Sequence, residues 1–202
     1  MTQRELENEL RRSFEAGDFP CAATRALEGF GPEIFGYLLA VTRSTHEAED
    51  AFSVFSEDLW RGFPGFRWQS SFRTWAYTLA RHALHRSIDR EGRRAVPLSE
   101  APLSQLEQRV REQTLSFLRT EAKDDFVELR NALDPDDRTL LVLRVDRRMR
   151  WEDVARVMLE EGEPTPEALR RKGVALRKQF ERVKERLRVL AEEAGLLVDE
   201  PP

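Results

Sequence analysis

The chain has 202 residues, of which 40% are hydrophobic and 35% charged, with a formal net charge of −4 and a mean hydropathy of −0.59. This composition predicts a globular protein of one domain or two small ones, and excludes a disordered chain. No window approaches the run of about 18 apolar residues that spans a membrane, and the charged N-terminus lacks the apolar core of a signal peptide. The single Cys21 cannot form an internal disulfide, so we expect a cytoplasmic protein.

Charge is unevenly distributed along the chain. Residues 1–58 hold five Arg against twelve acids, whereas residues 59–88 hold five Arg and no acid. Residues 163–190 hold nine Lys or Arg against four Glu, so each of these two basic blocks has a net charge of +5. The blocks indicate contact with a polyanion at two places, with solvated helix faces as an equally weighted alternative.

The hydrophobic periodicity is helical nearly everywhere, and no segment has a convincing strand pattern. Thr2-Gln3-Arg4-Glu5 is a capping box that opens a first helix ending near Gly17. Pro32 is expected in the first turn of a third helix, separate from the second. Further helix starts are marked by Ser44, by Asp134 with Pro135, and by Thr165 with Pro166. The predicted helices after the first cover 22–28, 33–43, 47–61, 71–89, 103–120, 123–133, 136–145, 151–159 and a basic stretch that ends near Gly195.

The predicted fold class is therefore all-α, with two helical domains. The first covers 1–90 and the second 120–195, and a flexible or partly helical linker over 91–119 joins them. A tail covers 196–202.

The acid-free block contains the run FRWQSSFRTWAYTLARHALHR, residues 66–86. On a helix, Phe72, Trp75 and Leu79 form one apolar stripe, for which core packing is the favoured interpretation. A different face carries Arg73, Tyr77 and Arg81, and the preceding loop carries Phe66, Arg67 and Trp68. Aromatic rings that stack on bases, and guanidiniums that hold phosphates, are typical of single-stranded nucleic-acid binding.

The C-terminal block has the order of a helix-turn-helix, whose second helix enters the major groove. An apolar stripe from Leu176 to Leu190 would seat this helix, and its basic residues would face phosphates and base edges. An ordinary amphipathic helix or a coiled-coil partner is the alternative.

Catalytic and metal-binding patterns are absent from the sequence. His46, His82 and His85 have no Cys or carboxylate cluster at ligand spacing, and there is no phosphate loop or nucleophile signature. We therefore predict a non-enzyme without metal, cofactor or small-molecule substrate.

Two stretches together resemble RNA polymerase sigma factors of the two-domain extracytoplasmic-function family. Residues 46–86, with A-E-D, a Trp-Arg pair and SSFRTWAYTLAR, look like the family's polymerase-binding and −10-reading region. Residues 133–158 and 175–188 resemble its −35-reading helix-turn-helix. The resemblance implies a sigma factor that binds core RNA polymerase and directs promoter-specific transcription initiation, with promoter DNA and an anti-sigma factor as further partners to consider.

The resemblance also implies residue roles. Core polymerase would be bound by Asp50, Phe55 and Trp60. The opened −10 strand would be held by Phe66, Arg67, Trp68, Ser70, Ser71, Arg73, Thr74, Trp75, Tyr77 and Arg81. The −35 duplex would be met by Arg170, Arg171, Lys172, Arg177, Lys178, Glu181 and Arg182.

Several positions depart from the family pattern. Ser53 and Val54 stand where a Gln and an acidic residue are usual, and His82 replaces an Asn. Arg150 replaces a Ser or Thr cap, and residues 158–174 are longer than the usual turn. The recognition helix therefore begins either at Pro166 or after Gly173.

Two rival functions stay open from the residues alone. One is a helix-turn-helix DNA-binding regulator that never engages polymerase, and the aromatic acid-free segment argues against it. The other is a helical protein-interaction module, which predicts negligible nucleic-acid affinity without salt dependence.

Overall fold

The computed structural model describes residues 2–89, 101–121, 126–159 and 164–196. The predicted loop and linker residues 90–100, most of the predicted tail, and residues 122–125 and 160–163 lie outside the described residues. Helices are the regular elements throughout the described residues, which contain no strand, so the all-α prediction is confirmed. The chain divides into two compact units, Met1–Glu121 and Ala122–Pro202.

Unit 1 contains five helices among its described residues. They are α1 (Gln3–Glu15), α2 (Phe19–Thr42), α3 (Thr45–Gly62), α4 (Phe72–Asp89) and α5 (Ala101–Glu121), with a short 3-10 turn (Phe63–Gly65) after α3. Unit 2 contains four among its own: α6 (Phe126–Asn131), α7 (Pro135–Leu141), α8 (Trp151–Val157) and α9 (Pro166–Glu193), with a π-helical turn (Val142–Asp146) after α7.

Helix starts follow the predicted capping signals. The Thr2 hydroxyl accepts from Glu5 N, and the Glu5 carboxylate accepts from Thr2 N at 2.7 Å, which completes the capping box. Ser44, Asp134 and Thr165 each accept a hydrogen bond from the backbone N–H three residues later. Each cap satisfies an amide that the first helical turn leaves without an intrahelical partner.

The predicted break at Pro32 is wrong, because α2 continues through it from Phe19 to Thr42. A proline inside a helix removes one hydrogen bond and costs roughly 3 kcal/mol. Apolar residues on both sides of Pro32, including Leu27, Phe30, Ile34 and Leu38, are buried in the same core. Burying a large apolar side chain contributes about 1.5–3 kcal/mol, so several of them outweigh the proline.

Unit 1 also reaches further along the chain than the predicted first domain. Helix α5 covers most of the segment predicted as a linker, and it packs against α2 and α3. Its buried residues are Leu103, Leu106, Glu107, Val110 and Thr114, at the three- and four-residue spacing of one helix face. The predicted helix over 103–120 thus belongs to the packed core of unit 1.

Candidate nucleic-acid interfaces

An aromatic cluster, consisting of Phe63, Phe66, Phe72 and Trp75, lies where α3 turns into α4. The rings of Phe66 and Trp75 stack with centroids 4.7 Å apart, and those of Phe63 and Phe72 are 5.5 Å apart. Phe63 and Phe72 are fully buried and Phe66 nearly so, whereas Trp75 is half-buried. The cluster fixes the position of the loop between the 3-10 turn and α4.

This loop carries the accessible part of the predicted −10 surface. Arg67 and Gln69 are exposed, and Ser70 and Ser71 are half-buried. The Ser71 hydroxyl accepts from Thr74 N at 3.0 Å, so it caps the start of α4. Thr74 itself is buried. The exposed Arg67 guanidinium and the partly accessible rings of Trp68 and Trp75 therefore all lie near the start of α4.

Trp68 adopts the left-handed backbone conformation, with φ at 55°. Bulky residues rarely occupy this region, so the surrounding contacts must hold it there. The Trp68 ring packs against Phe66 at 4.8 Å and Phe14 at 5.8 Å, and the Arg11 guanidinium lies 5.5 Å from the ring centroid. Its half-buried ring is therefore partly covered by α1, a contact that no local sequence pattern predicts.

The expectation that Arg73, Tyr77 and Arg81 form an accessible face is wrong. Tyr77 is fully buried and Arg81 is 3% exposed. The Tyr77 hydroxyl donates to Glu33 Oε1 at 2.9 Å, and the Arg73 Nε donates to the same oxygen at 2.9 Å. This face packs against α2, because the core of unit 1 surrounds α4 on more than one side.

The Glu33 carboxylate stabilises the charged form of Arg73. Burial disfavours the charge, but the hydrogen bond and the negative charge of Glu33 outweigh it and raise the pKa of Arg73 above its ordinary value. Arg86 likewise pairs with Asp58, and Arg61 lies 3.7 Å from Glu57. Carboxylates of α2 and α3 thus neutralise much of the acid-free block.

The residues predicted to bind polymerase lie on α3, but on different faces. Asp50 is exposed and Trp60 half-buried. Asp50, Ser53, Glu57 and Trp60 are spaced by three, four and three residues, so they lie on one face of the helix. This set of four residues is here called the α3 stripe. Phe55 is fully buried and its ring packs 5.7 Å from Phe52, so its expected contact with polymerase is corrected to a core role.

Helix α9 carries the predicted −35 residues. It begins at Pro166, so the first of the two alternatives for its start is correct. Gly173 is buried, and a Cβ there would lie 3.9 Å from Ala155 and 4.0 Å from the Trp151 carbonyl, which shows how closely α8 and α9 pack. The predicted contacts are all exposed except Lys172, which is half-buried; the exposed ones are Arg170, Arg171, Arg177, Lys178, Glu181 and Arg182.

Trp151 organises the cations at the start of α8. The Arg144 and Arg177 guanidiniums lie 5.0 and 5.6 Å from its ring centroid, and the Phe180 ring packs edge-on at 5.6 Å. Cation–π contacts of this kind restrict a long side chain while leaving its charge available. Trp151 is a positioning residue for Arg177 that sequence reasoning read only as a helix start.

Among the described residues, no group of three or more His, Cys, Asp or Glu side chains could hold a metal ion. In the same residues, no helix has the length and apolar character needed to cross a membrane.

Comparison with known proteins gives one family match. Residues 27–94 match the model described as Sigma-70 region 2. The match covers about a third of the chain and includes the α3 stripe, the aromatic cluster and the loop before α4. No curated protein matches the chain.

Proposed function

We propose, from the match of residues 27–94 to Sigma-70 region 2, that this protein is a sigma factor of the two-domain extracytoplasmic-function type. The match to this region supports a role in RNA polymerase binding and in transcription initiation. Catalysis in this scheme belongs to the polymerase, and the protein supplies the promoter address. It would act in the cytoplasm.

The family match over the α3 stripe and the aromatic cluster is the observation that carries this proposal. The stripe presents Asp50 to solvent, Glu57 is half-buried, and Trp60 extends the stripe with a half-buried aromatic ring. A half-buried aromatic ring beside an exposed polar rim is a typical anchor for a partner protein. The stripe would bind core RNA polymerase.

The loop before α4 would hold one strand of the opened −10 element. Base stacking contributes about 1–3 kcal/mol per base, which offsets the cost of unpairing. Trp75 and Trp68 offer partly accessible rings, and Arg67 an exposed cation. Arg73, Tyr77 and Arg81 would support this surface from within by fixing α4 against α2.

Unit 2 would read the −35 duplex through α9. Its exposed cations can contact phosphates and base edges in the major groove. Arg177, held over Trp151, is the best-positioned of them. A regulator that uses unit 2 alone is disfavoured, because the family match lies in unit 1.

The test is the binding of the full chain to core RNA polymerase, measured by fluorescence anisotropy. We expect saturable binding that Asp50→Ala with Trp60→Ala weakens by about tenfold or more. Glu28→Ala, an exposed acid on α2, is the matched control and should leave binding unchanged. Absence of binding by the wild-type chain and by every variant that keeps its fold would overturn the proposal.

A further inference from the structure

Helix α5 docks on unit 1 at a point of unusually close approach. Val110 of α5 lies over Gly31 of α2, where an added Cβ would be only 2.9 Å from Val110 Cγ1. Leu103 and Leu106 extend the contact along the buried face of α5. The glycine at position 31 therefore lets α5 approach α2 closely, and this contact is here called the seat of α5.

The same helix reaches the middle of the α3 stripe. Ser53 Oγ donates to Glu107 Oε2 at 3.2 Å, and Ser53 lies between Asp50 and Trp60 on the stripe. Glu57, the next stripe residue, is close enough to act electrostatically on Glu107. Helix α5 therefore lies against the middle of the α3 stripe, between the predicted polymerase contacts Asp50 and Trp60.

This contact carries an electrostatic penalty. Glu107 is 4% exposed, and its Oε1 is buried without a hydrogen-bond partner among the described residues. Burial, to which the charge of Glu57 adds, raises the pKa of Glu107 to about 7, against the opposing effects of Arg111, Ser53 and Ser56. A buried carboxyl with one unsatisfied oxygen is costly to keep in place, so the docking is weaker than its apolar contacts alone would make it.

We propose that α5 is an intramolecular cover of the α3 stripe, which must leave its seat before RNA polymerase can dock there. The inference rests on the proposed function, and it adds regulation of that same site. A helix with its side chains is about 10 Å wide, and packed helices lie about 8–10 Å apart, so α5 and a polymerase element cannot both contact Ser53. The apparent affinity for polymerase is then the intrinsic affinity multiplied by the fraction of molecules in the uncovered state.

A reversible lock tests the cover directly. Gly31→Cys with Val110→Cys, made in a Cys21→Ser background, places two thiols at the closest point between α2 and α5. An added Cβ at Gly31 would lie 2.9 Å from Val110 Cγ1, where the cysteine sulfur would stand, and a disulfide can bridge this separation. The full-length protein, oxidised or reduced, is titrated with core RNA polymerase. Val110→Cys alone, carried through the same oxidation, is the control.

A release variant completes the experiment. Val110→Asp buries a charge at the seat and favours the uncovered state, whereas Gln105→Asp adds the same charge on the exposed face of α5. We expect the oxidised lock to lose polymerase binding and the reduced form to regain it. Val110→Asp should bind about tenfold more tightly than wild type, and Gln105→Asp like wild type.

The outcomes separate this inference from the function on which it rests. Equal binding by the oxidised and reduced lock overturns the cover and leaves the sigma-factor proposal intact. If the reduced lock, the release variant and wild type all fail to bind polymerase, the cover and the sigma-factor proposal are both overturned. Loss on oxidation that reduction reverses supports both.

Discussion

The two basic blocks have the same net charge in sequence but different environments in the fold. In the first, Arg73 and Arg86 face carboxylates of α2 and α3, and Arg81 is buried. In the second, Arg170, Arg177 and their neighbours on α9 are exposed. Charge counted along the sequence therefore describes a binding surface only when distant segments do not supply the opposite charge.

The difference assigns separate physical roles to the two units. Unit 1 presents aromatic rings and a single exposed loop cation, so its proposed strand capture depends on shape and stacking. Unit 2 presents many solvated cations, so its proposed duplex binding depends on charge and falls with salt. Four substitutions test this contrast.

Phe72→Ala should produce the largest effect. Its fully buried ring touches four other aromatic rings, those of Phe30, Phe63, Phe66 and Trp75. We expect the free energy of unfolding of unit 1 to fall by about 3–5 kcal/mol, as for other buried Phe→Ala changes. Urea denaturation followed by circular dichroism measures it. The half-buried Phe180 of α9 is the control, and an equal loss from Phe180→Ala would contradict the contrast.

Glu33→Ala should destabilise unit 1 next most strongly. The change removes an oxygen that accepts from both Arg73 and Tyr77, and the loss of buried hydrogen bonds of this kind costs about 1–3 kcal/mol. Glu28→Ala removes an exposed carboxylate of the same helix and should change the free energy of unfolding by less than about 0.5 kcal/mol. If the two variants unfold at the same urea concentration, Glu33 does not hold α4 in place.

Glu107 should make the stability of unit 1 depend on pH. Its pKa is about 7 in the fold and 4.5 ordinarily, so between these values the folded unit binds a proton that the unfolded chain does not. Stability should therefore fall as pH rises through this window, by about 3 kcal/mol in total. Thermal unfolding of wild type and Glu107→Gln from pH 4.5 to 7.5 measures it. The variant should lack this component, and identical profiles would show that Glu107 is not buried as described.

Arg177→Ala should affect duplex binding rather than stability. Removing one phosphate contact weakens binding uniformly and reduces the slope of log affinity against log salt by about one. Arg188 is also an exposed arginine of α9, but Glu185 and Glu192 pair with it. Arg188→Ala is therefore the matched control, with little expected change. Equal losses in anisotropy titrations would contradict a specific α9 surface.

Local signals in the sequence predicted most of the secondary structure. The caps at Thr2, Ser44, Asp134 and Thr165 need only a few neighbouring residues, and each marks a real helix start. The break expected at Pro32 failed because the burial of α2 on both sides of it is a tertiary effect. The seat of α5 depends on Gly31, about 80 residues earlier in the chain, for which no local pattern exists.

The candidate site was predictable only in part for the same reason. The SSFRTW motif indicated the loop before α4, in which Arg67 is exposed, and the exposed residues of α9 were identified from its apolar stripe. The Arg73, Tyr77 and Arg81 face was misread because Glu33 lies about 40 residues away. Phe55 was misplaced because a motif position does not say which side of α3 faces the core.

Run-off transcription by core RNA polymerase with the purified full chain, on a bank of genomic promoters, measures sigma-factor activity itself. We expect transcripts from a defined subset of promoters, and their loss when Arg67 and Trp75 are both changed to Ala in a protein that still binds the polymerase. Polymerase binding without initiation on any promoter would contradict the claim that this protein directs transcription.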